Sequence, residues 1–307
     1  MDKSIPLHLK TAYEECQRIA AIHYENFPVA SLFLPKENRA HIAALYTFAR
    51  TADDFADEPP ETQNNFFGGS PPAGGEMSIQ KWRLKQINDW EKGLKAAFKN
   101  KKSYLILQAF AHTLKIFKIP LSLPLNLLKA YRMDLTQKRY KTWSNVLYYC
   151  QHSANPVGRM VLYISGIREK KLFRYSDFIC TGLQLINFWQ DTAVDLSRNR
   201  IYYPQTELKK AGVLEKDLLA LKDSPSSRVL FKNAVDFTEE YLRKGYPMLK
   251  EVPGGLRLEL RATYLGGQGI LNKIRKMNYD VLQIRPSWSA WDKISLAVKT
   301  ILGRVTA

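Results

Sequence analysis

Cysteine is scarce in this chain of 307 residues, where Cys16, Cys150 and Cys180 lie far apart and form no Cys-x-x-Cys pair. A disulfide framework uses an even set of cysteines, and a cysteine-rich zinc site uses closely spaced pairs of them. We therefore expect neither a disulfide framework nor a zinc site. The same scarcity is typical of proteins in a reducing compartment, and we predict a cytoplasmic location.

Long apolar runs are also missing from the sequence. The first residues, MDKSIPLHLKTAYEECQ, lack the apolar core of a signal peptide, and Lys or Glu interrupts every long apolar stretch elsewhere. A membrane-spanning helix needs about 20 predominantly apolar residues. We expect neither a signal peptide nor a spanning helix. Hydrophobic residues make up 45% of the chain and charged residues 24%, a balance typical of a folded globular protein.

Acidic residues are few relative to basic ones. The 46 Lys and Arg residues exceed the 29 Asp and Glu residues and leave a net charge of +17. Such an excess favours an anionic partner: a nucleic acid, a phosphorylated substrate or the acidic headgroups of a membrane surface. The basic residues are dispersed, with the densest run at 99–102, and no nucleic-acid-binding motif accompanies them. We therefore expect no nucleic-acid partner.

Alternating β-type patterns are scarce, whereas apolar residues recur at intervals of three and four along almost the whole chain. This spacing predicts an all-α protein. The predicted helices cover about 7–25, 36–58, 78–99, 103–117, 123–137, 143–165, 175–198, 227–250, 255–281 and 288–303. Residues 59–75, with four prolines and four glycines, are either a domain linker or a mobile surface loop. Because the helices on both sides are equally core-forming, we favour a flexible loop within a single domain that spans 1–307.

The first of two acidic segments covers residues 46–58. At 3.6 residues per turn, Tyr46, Arg50, Asp53 and Asp57 fall on one helix face, with the two carboxylates one turn apart. Like charges at this spacing repel, and carboxylates near a helix C-terminus oppose the helix dipole, by about 0.3–1 kcal/mol each. Such a locally unfavourable arrangement in a basic protein indicates a cation site.

The second acidic segment, QLINFWQDTAVD, repeats this geometry with Gln184, Asn187, Asp191 and Asp195 on one face. For either segment alone, a solvated acidic face is as good an explanation as a cation site. It accounts poorly for the same pattern in two segments. Carboxylate oxygens without His or Cys favour Mg²⁺, which keeps waters and usually shares its coordination with substrate phosphates. Together with the net charge, the two segments predict Mg²⁺ ions that bridge a diphosphate ester.

Several sequence blocks carry a family resemblance. Residues 53–57 fit the DDxxD pattern of chain-elongating prenyl diphosphate synthases, but 191–195 read DTAVD, without a doubled aspartate. The blocks HYENFPVASLFLPKENRAHIAALYTFARTADDFADE, AYRMDLTQKRY, YCQHSANPVG and QLINFWQDTAVDLSRNRIYYP resemble, in this order, blocks of the squalene/phytoene synthase family. The likeness runs from about His23 to Pro286. It implies a single all-α domain in which facing aspartate helices bind Mg²⁺-diphosphate above a central apolar cavity for C15 or C20 chains.

The resemblance also implies roles for individual residues. The metal-binding carboxylates would be Asp53, Asp57, Asp191 and Asp195. The substrate-binding positions would be His23, Tyr46, Arg50, Arg139, Gln184, Asn187, Arg200 and Tyr202, with Arg50, Gln184, Asn187 and Arg200 on the diphosphate side. Tyr149 would be a cavity tyrosine near the reacting carbons. Because ring faces stabilise cations, we select Tyr46 and Tyr149 as cavity aromatics and interpret Phe188 and Trp189 as packing residues.

Departures from the family pattern point to one branch. Where condensing members usually have Arg and Glu in the second aspartate block, this chain has Gln190 and Val194, and the usual Val-Ala-Gly is replaced by Ser153-Ala154-Asn155. These substitutions resemble the hydroxysqualene synthase branch of the hopanoid pathway, which converts presqualene diphosphate to hydroxysqualene. In that pathway a sister enzyme makes presqualene diphosphate and a flavin-dependent enzyme reduces the alcohol. No dinucleotide-binding fingerprint is visible, which agrees with a step that needs no NADPH.

The Ser153-Ala154-Asn155 turn predicts how the alcohol forms. A held water needs polar partners, and Ser153 and Asn155 supply a hydroxyl and an amide beside Tyr149. We predict that one or both position the nucleophilic water. The alternative is that Asn155 only accommodates the backbone before Pro156.

Other readings of the sequence stay open. The near alternative is head-to-head condensation of two farnesyl diphosphates to squalene or dehydrosqualene, and a second is a non-catalytic scaffold at the membrane. The C-terminal segment 288–303 mixes Trp, Leu and Ile with Lys, and Arg304 follows it directly. It is either an amphipathic helix on an anionic lipid surface, which would make the protein peripheral on the cytoplasmic membrane face, or a last helix packed on the domain.

Overall fold

The computed structural model describes residues 5–22, 35–57, 76–289, 292 and 300. Within these ranges the regular structure is helical, and the β structure is limited to an isolated parallel bridge between Arg139 and Ile201. A 3-10 turn at Leu7–Leu9 precedes the first helix. In chain order the helices are α1 (Lys10–Ile22), α2 (Lys36–Asp57), α3 (Glu76–Phe98), α4 (Leu105–Ile116), α5 (Ser122–Thr136), α6 (Trp143–Ser153), α7 (Asn155–Ile164), α8 (Lys170–Gln190), α9 (Thr192–Ser197), α10 (Gln205–Ala211), α11 (Glu215–Leu219), α12 (Pro225–Gly245), α13 (Met248–Glu251) and α14 (Gly254–Lys276). The all-α class predicted from the sequence is confirmed over the described residues.

Some predicted helices are divided in the structure. The predicted helix 143–165 breaks at Ala154, because Pro156 lacks the N–H that would continue the hydrogen-bond ladder of α6. The predicted helix 227–250 breaks before Pro247 for the same reason. The predicted helix 175–198 begins earlier, at Lys170, and breaks at Asp191. Helices α10 and α11 were not predicted, because seven and five residues are too few to display an apolar period.

Two of the predicted segments fall largely outside the described residues. The loop 59–75 lies wholly outside them, and of the C-terminal helix 288–303 only residues 288, 289, 292 and 300 are described. Both interpretations therefore stay predictions. None of the described helices combines the length and the apolar content that a membrane span requires.

Contacts divide the chain into two compact units. The first comprises residues 1–136 and 159–168, and the second comprises 137–158 and 169–307. Each unit contains one of the two acidic segments. That the chain works as one domain stays a prediction from the sequence.

In the first unit, α2 packs against α1, α3, α4 and α5. Phe48 of α2 stacks on Phe110 of α4 with the ring centroids 4.4 Å apart, and Trp90 of α3 stacks on Phe48 at 6.0 Å. All of these rings are fully buried, and burying one large apolar side chain contributes about 1.5–3 kcal/mol. This core fixes the position of α2, whose last turns carry Asp53 and Asp57.

In the second unit, α8 packs against α12, α14 and α6. The Trp189 indole N–H donates to the Thr238 hydroxyl at 2.7 Å near one end of α8, and Gly245 lies against Ile179 nearer the other, so α12 runs antiparallel to α8. A Cβ at residue 245 would lie 2.5 Å from Ile179 Cγ1 and 3.0 Å from the Tyr175 carbonyl oxygen. The two helices approach this closely because residue 245 is glycine.

The close approach at Gly245 predicts that Gly245→Ala destabilises the protein. The added methyl group would press on backbone atoms that cannot rotate away, and such overpacking costs about 1–3 kcal/mol. Gly266→Ala in α14 is the matched control, because a Cβ there meets nothing within 4 Å and helix propensity favours alanine. We expect thermal unfolding followed by circular dichroism to show a lower midpoint for Gly245→Ala and an equal or higher one for Gly266→Ala. Equal midpoints for the two variants would contradict this account.

Candidate active site

The first acidic segment occupies the last turns of α2, as the sequence predicts. Asp53 and Asp57 lie one turn apart on this helix. The Arg50 guanidinium contacts two carboxylates, with Nη1 3.4 Å from Asp53 Oδ2 and Nη2 2.7 Å from Asp54 Oδ1. Arg50 thus offsets the repulsion among these carboxylates from within the same helix.

Two tyrosines lie close to this segment in the first unit. The pKa of Tyr46 is raised chiefly by burial, while Arg50 opposes the increase. The Tyr131 hydroxyl donates to the Ala49 carbonyl at 3.1 Å, and burial together with the nearby Asp53 raises its pKa well above the usual range. Both phenols therefore stay neutral at physiological pH. Sequence reasoning missed Tyr131 as a member of this site, although it lies in one of the blocks that carry the resemblance.

The second acidic segment, in the second unit, departs from the predicted continuous helix. Helix α8 ends at Gln190, and Asp191, with φ −101° and ψ 17°, joins it to α9. The Asp191 N–H nevertheless donates to the Asn187 carbonyl at 2.9 Å, and the Asp195 N–H to the Asp191 carbonyl at 2.8 Å. These bonds keep the four-residue spacing, so Asn187, Asp191 and Asp195 remain in helical register across the junction.

A buried hydroxyl pair supports this junction. The Thr192 hydroxyl lies 2.8 Å from the Tyr203 hydroxyl and 3.0 Å from the carbonyl oxygens of Phe188 and Trp189. Burial raises the pKa of Tyr203 well above its ordinary value. Thr192 therefore connects the end of α8 to the segment that follows α9.

Arg285 is a site residue that sequence reasoning missed. Its Nε lies 2.7 Å from Asp191 Oδ1, although the two residues are 94 positions apart. The neighbours of these two residues form a second contact, in which Gln190 Nε2 donates to the Pro286 carbonyl at 2.8 Å. No periodic pattern connects positions so distant, and only the packing of the second unit brings them together.

The predicted substrate residue Arg139 contacts the segment that follows α9. Its guanidinium donates to the Asn199 carbonyl and side-chain oxygens, both at 2.6 Å, and to Glu215 Oε2 at 2.8 Å. The Arg200 N–H donates to the Asp195 carbonyl at 2.8 Å. Arg139 thus holds the backbone that carries Arg200, and its direct contact with substrate stays a prediction.

The predicted residues Tyr149 and Tyr202 lie together in an aromatic cluster with Tyr140 and Phe188. Phe188 and Tyr202 stack with centroids 3.6 Å apart, and the Tyr149 ring lies 5.8 Å from Phe188 and 6.1 Å from Tyr202. All four side chains are buried. Buried ring faces such as these can stabilise a positive charge. Phe188 is a packing residue, as expected, but its ring packs against Tyr149 and Tyr202, which the sequence analysis assigned to the site.

Ser153 and Asn155, which the sequence analysis selected together as residues that position a water, have different surroundings in the structure. Asn155 is buried, and its Oδ1 accepts a hydrogen bond from the Thr181 hydroxyl at 3.0 Å. Ser153 lies one turn after Tyr149 in α6, and its buried hydroxyl has no partner among the described residues. An unsatisfied buried hydroxyl costs about 1–3 kcal/mol, so such a group commonly binds an ordered water.

The remaining predicted residues are placed as follows. Gln184 and Asn187 lie on α8 in the second unit, with Asn187 exposed and Gln184 half-buried. His23 lies outside the described residues. Over the described ranges, no group of three or more His, Cys, Asp or Glu side chains gathers to hold a metal ion. Each aspartate pair does fit Mg²⁺, which commonly takes one or two protein carboxylates together with waters and substrate phosphates.

Comparison with known proteins places this chain in a class. Residues 21–292 match the family model for squalene/phytoene synthase. The chain is 33% identical to hydroxysqualene synthase of Rhodopseudomonas palustris over 229 residues, 74% of this chain and 71% of the relative. It is 26% identical to 15-cis-phytoene synthase of Synechococcus elongatus over 298 residues, 93% of this chain and 91% of the relative.

Solved structures give the same class. The crystal structure of squalene synthase HpnC from Alicyclobacillus acidocaldarius matches with a TM-score of 0.79 and 33% identity, over 90% of this chain and 97% of that one. A dehydrosqualene synthase structure shares the fold, with a TM-score of 0.80 and 19% identity over 97% of this chain and 98% of that one. The fold is that of the helical isoprenoid synthases. The chain belongs to the squalene/phytoene synthase family, and the resemblance found in the sequence is confirmed.

The Thr192–Tyr203 contact predicts that Thr192→Val destabilises the second unit. The buried Tyr203 hydroxyl would lose its partner, at a cost of about 1–3 kcal/mol. Ser197→Ala is the matched control, because its hydroxyl bonds to Val194 at an exposed position, where a change of about 0.5 kcal/mol or less is expected. Urea unfolding should show a lower midpoint for Thr192→Val alone. If both variants unfold at the wild-type midpoint, the hydroxyl pair does not support the junction.

Proposed function

We propose that the protein converts presqualene diphosphate and water to hydroxysqualene and diphosphate, with Mg²⁺ as its cofactor. The observation that carries this proposal is the buried Ser153 hydroxyl, which has no partner in the described structure and lies one turn from Tyr149. A product alcohol requires a bound water, and this group is a place to hold one. The 33% identity to a hydroxysqualene synthase supports the same branch of the family.

The acidic segments would bind the diphosphate end of the substrate. Asp53 and Asp57 in the first unit and Asp191 and Asp195 in the second are the proposed carboxylates for the metal. When bound, Mg²⁺ supplies a Lewis acid that neutralises charge on the departing diphosphate. Around them, cationic and amide side chains would bind diphosphate oxygens: Arg50, Arg200, Arg285, Gln184 and Asn187.

The aromatic cluster would contact the reacting carbons and stabilise the carbocation that forms there. Cleavage of the carbon–oxygen bond sends its electron pair to the diphosphate and leaves a carbocation, which the ring faces of Tyr149, Phe188 and Tyr202 stabilise. A bond of the substrate's cyclopropane ring would then shift and the ring would open, which moves the positive charge to an acyclic allylic carbon. The oxygen of the water held at Ser153 would bond to that carbon, and a proton of the water would pass to the departing diphosphate. Asn155 contributes by fixing this turn through Thr181.

The proposed reaction implies partners. A presqualene diphosphate synthase would supply the substrate, and a flavin-dependent reductase would consume the alcohol. Because substrate and product are very apolar, we also propose a location in the cytoplasm against the membrane face, with segment 288–303 as the contact. That segment lies mostly outside the described residues, so the sequence alone supports its role.

A second candidate function is head-to-head condensation of two prenyl diphosphates. The observation that favours it is the match to phytoene synthases, which extends over 93% of this chain although identity is only 26%. A catalytically silent scaffold is disfavoured, because all four proposed metal carboxylates are present.

The function is tested by incubating the purified protein and Mg²⁺ separately with presqualene diphosphate, farnesyl diphosphate and geranylgeranyl diphosphate. We expect hydroxysqualene and equimolar diphosphate from the first substrate and little consumption of the other two. Asp191→Asn should reduce diphosphate release by at least about 100-fold, because it removes a charged group that stabilises the leaving anion. Rapid conversion of farnesyl or geranylgeranyl diphosphate to hydrocarbon would establish condensation instead.

The proposed water site predicts that Ser153→Ala changes the product rather than the rate of ionisation. Diphosphate release should continue, while the product shifts from hydroxysqualene toward dehydrated or rearranged hydrocarbons, as measured by gas chromatography. Ser165→Ala is the matched control, because it also removes a buried hydroxyl without a described partner, but in the first unit. An undiminished proportion of hydroxysqualene from Ser153→Ala would mean that the water is held elsewhere.

A further inference from the structure

Two contacts join the end of α8 to the segment that follows α14, both within the second unit. Gln190 Nε2 donates to the Pro286 carbonyl at 2.8 Å, and Arg285 Nε donates to Asp191 Oδ1 at 2.7 Å. Residues 190 and 191 are adjacent, as are 285 and 286, so the two contacts lie side by side. We call these four residues the α8 clamp.

The ion pair in the α8 clamp is too exposed to hold the segment by itself. The Arg285 side chain is 63% exposed and the Asp191 side chain 34% exposed. Solvent screens a pair of this kind, and fixing a long arginine side chain costs rotamer entropy. Something other than the charge pair must therefore keep Arg285 beside Asp191.

The hydrogen bond from Gln190 is suited to that task. Pro286 has no backbone N–H, so its carbonyl is the backbone group through which this residue can be held. The chain around it, 284–289, has no regular secondary structure. It is fixed at two other points, where Gln283 Nε2 donates to the Leu221 carbonyl at 2.9 Å and where the Trp288 indole packs directly on Gly269. Pro286 is also buried, and among these hydrogen bonds the one from Gln190 engages the residue next to Arg285.

The geometry leaves part of the Arg285 guanidinium available. Nε is directed at Asp191, and neither Nη1 nor Nη2 has a partner in the part of the chain that the structure describes. A planar guanidinium fixed on one side presents its terminal nitrogens as a fork that matches two oxygens of a phosphate group. Fixing the fork before the ligand arrives reduces the entropy lost on binding.

We propose that Gln190 is a positioning residue, which binds the Pro286 carbonyl and thereby holds the Arg285 guanidinium against Asp191, ready for a diphosphate oxygen. In this role Gln190 acts through Arg285 rather than on the substrate. The inference rests on the proposed function only in that the site binds diphosphate. The Gln190 amide is neutral, and the Arg285 guanidinium supplies a positive charge beside Asp191.

The test is a double-variant cycle read by calorimetry, with inorganic diphosphate and Mg²⁺ as the probe. Gln190→Leu removes the amide at similar volume, and we expect it to weaken diphosphate binding by about five- to tenfold, the scale of one lost hydrogen bond. Arg285→Gln should weaken binding at least as much. If Gln190 acts through Arg285, the change to leucine should have no further effect in the Arg285→Gln background.

A control and a structural readout complete the experiment. Gln108→Leu also removes a side-chain amide that bonds to a backbone carbonyl, that of Ser103 in the first unit, and should leave the affinity unchanged. Amide hydrogen exchange in 283–289 should be faster in Gln190→Leu than in wild type or Gln108→Leu. Gln190→Glu, which cannot donate, provides a second variant with the same expected direction.

The outcomes separate this inference from the proposed function. If Gln190→Leu weakens diphosphate binding by the same factor in the wild-type and the Arg285→Gln backgrounds, Gln190 is not a positioning residue. Unchanged hydrogen exchange in 283–289 would also overturn this role. The diphosphate probe does not depend on which prenyl chain the enzyme uses. The double-variant cycle can therefore be interpreted even if the product assay establishes condensation. Failure to make hydroxysqualene would contradict only the proposed function.

Discussion

The repulsion between carboxylates one helical turn apart is the constraint on which both acidic segments depend. Helix α2 holds Asp53 and Asp57, and the junction of α8 and α9 holds Asp191 and Asp195, at a spacing that suits a divalent cation and that is unfavourable without positive charge nearby. In each unit a guanidinium contacts one carboxylate of the pair: Arg50 contacts Asp53 from within α2, and Arg285 contacts Asp191 from a distant segment. Arg50 is fixed by its own helix, whereas Arg285 needs a backbone tether. The same electrostatic requirement is therefore met by local geometry in one unit and by tertiary structure in the other.

The scaffold behind these carboxylates is built to keep backbone atoms in place. In the first unit the stacked rings of Phe48, Phe110 and Trp90 fix α2. In the second unit the close approach of α12 at Gly245 fixes α8, and the Thr192 hydroxyl fixes the junction at its end. These groups are buried and fully packed, so the acidic side chains can remain partly exposed without losing their positions.

The sequence predicted what depends on neighbours along the chain. The helix predicted at 36–58 is observed at Lys36–Asp57, and Asp53 and Asp57 lie one turn apart on it, because three to four residues are enough to define a helix face. The sequence did not predict the break at Asp191, since the hydrogen bonds there continue the spacing of a regular helix. It also could not predict Arg285, because a contact over 94 positions leaves no periodic signal. His23 and the loop 59–75 stay predictions, because both lie outside the described residues.

If the protein makes an alcohol, as we propose, the number of polar groups that are left to bind water near the cation should decide between an alcohol and a hydrocarbon product. In the proposed reaction, the rings of Tyr149, Phe188 and Tyr202 would offer apolar faces to the reacting carbons. At the adjoining turn, the Asn155 oxygen already accepts a hydrogen bond from Thr181, so one of its two lone pairs is used within the protein. The Ser153 hydroxyl has no such partner in the described structure. If the proposed function holds, a turn that engages one polar group internally and leaves the Ser153 hydroxyl open would hold water at a defined place, as selective hydration of a carbocation requires.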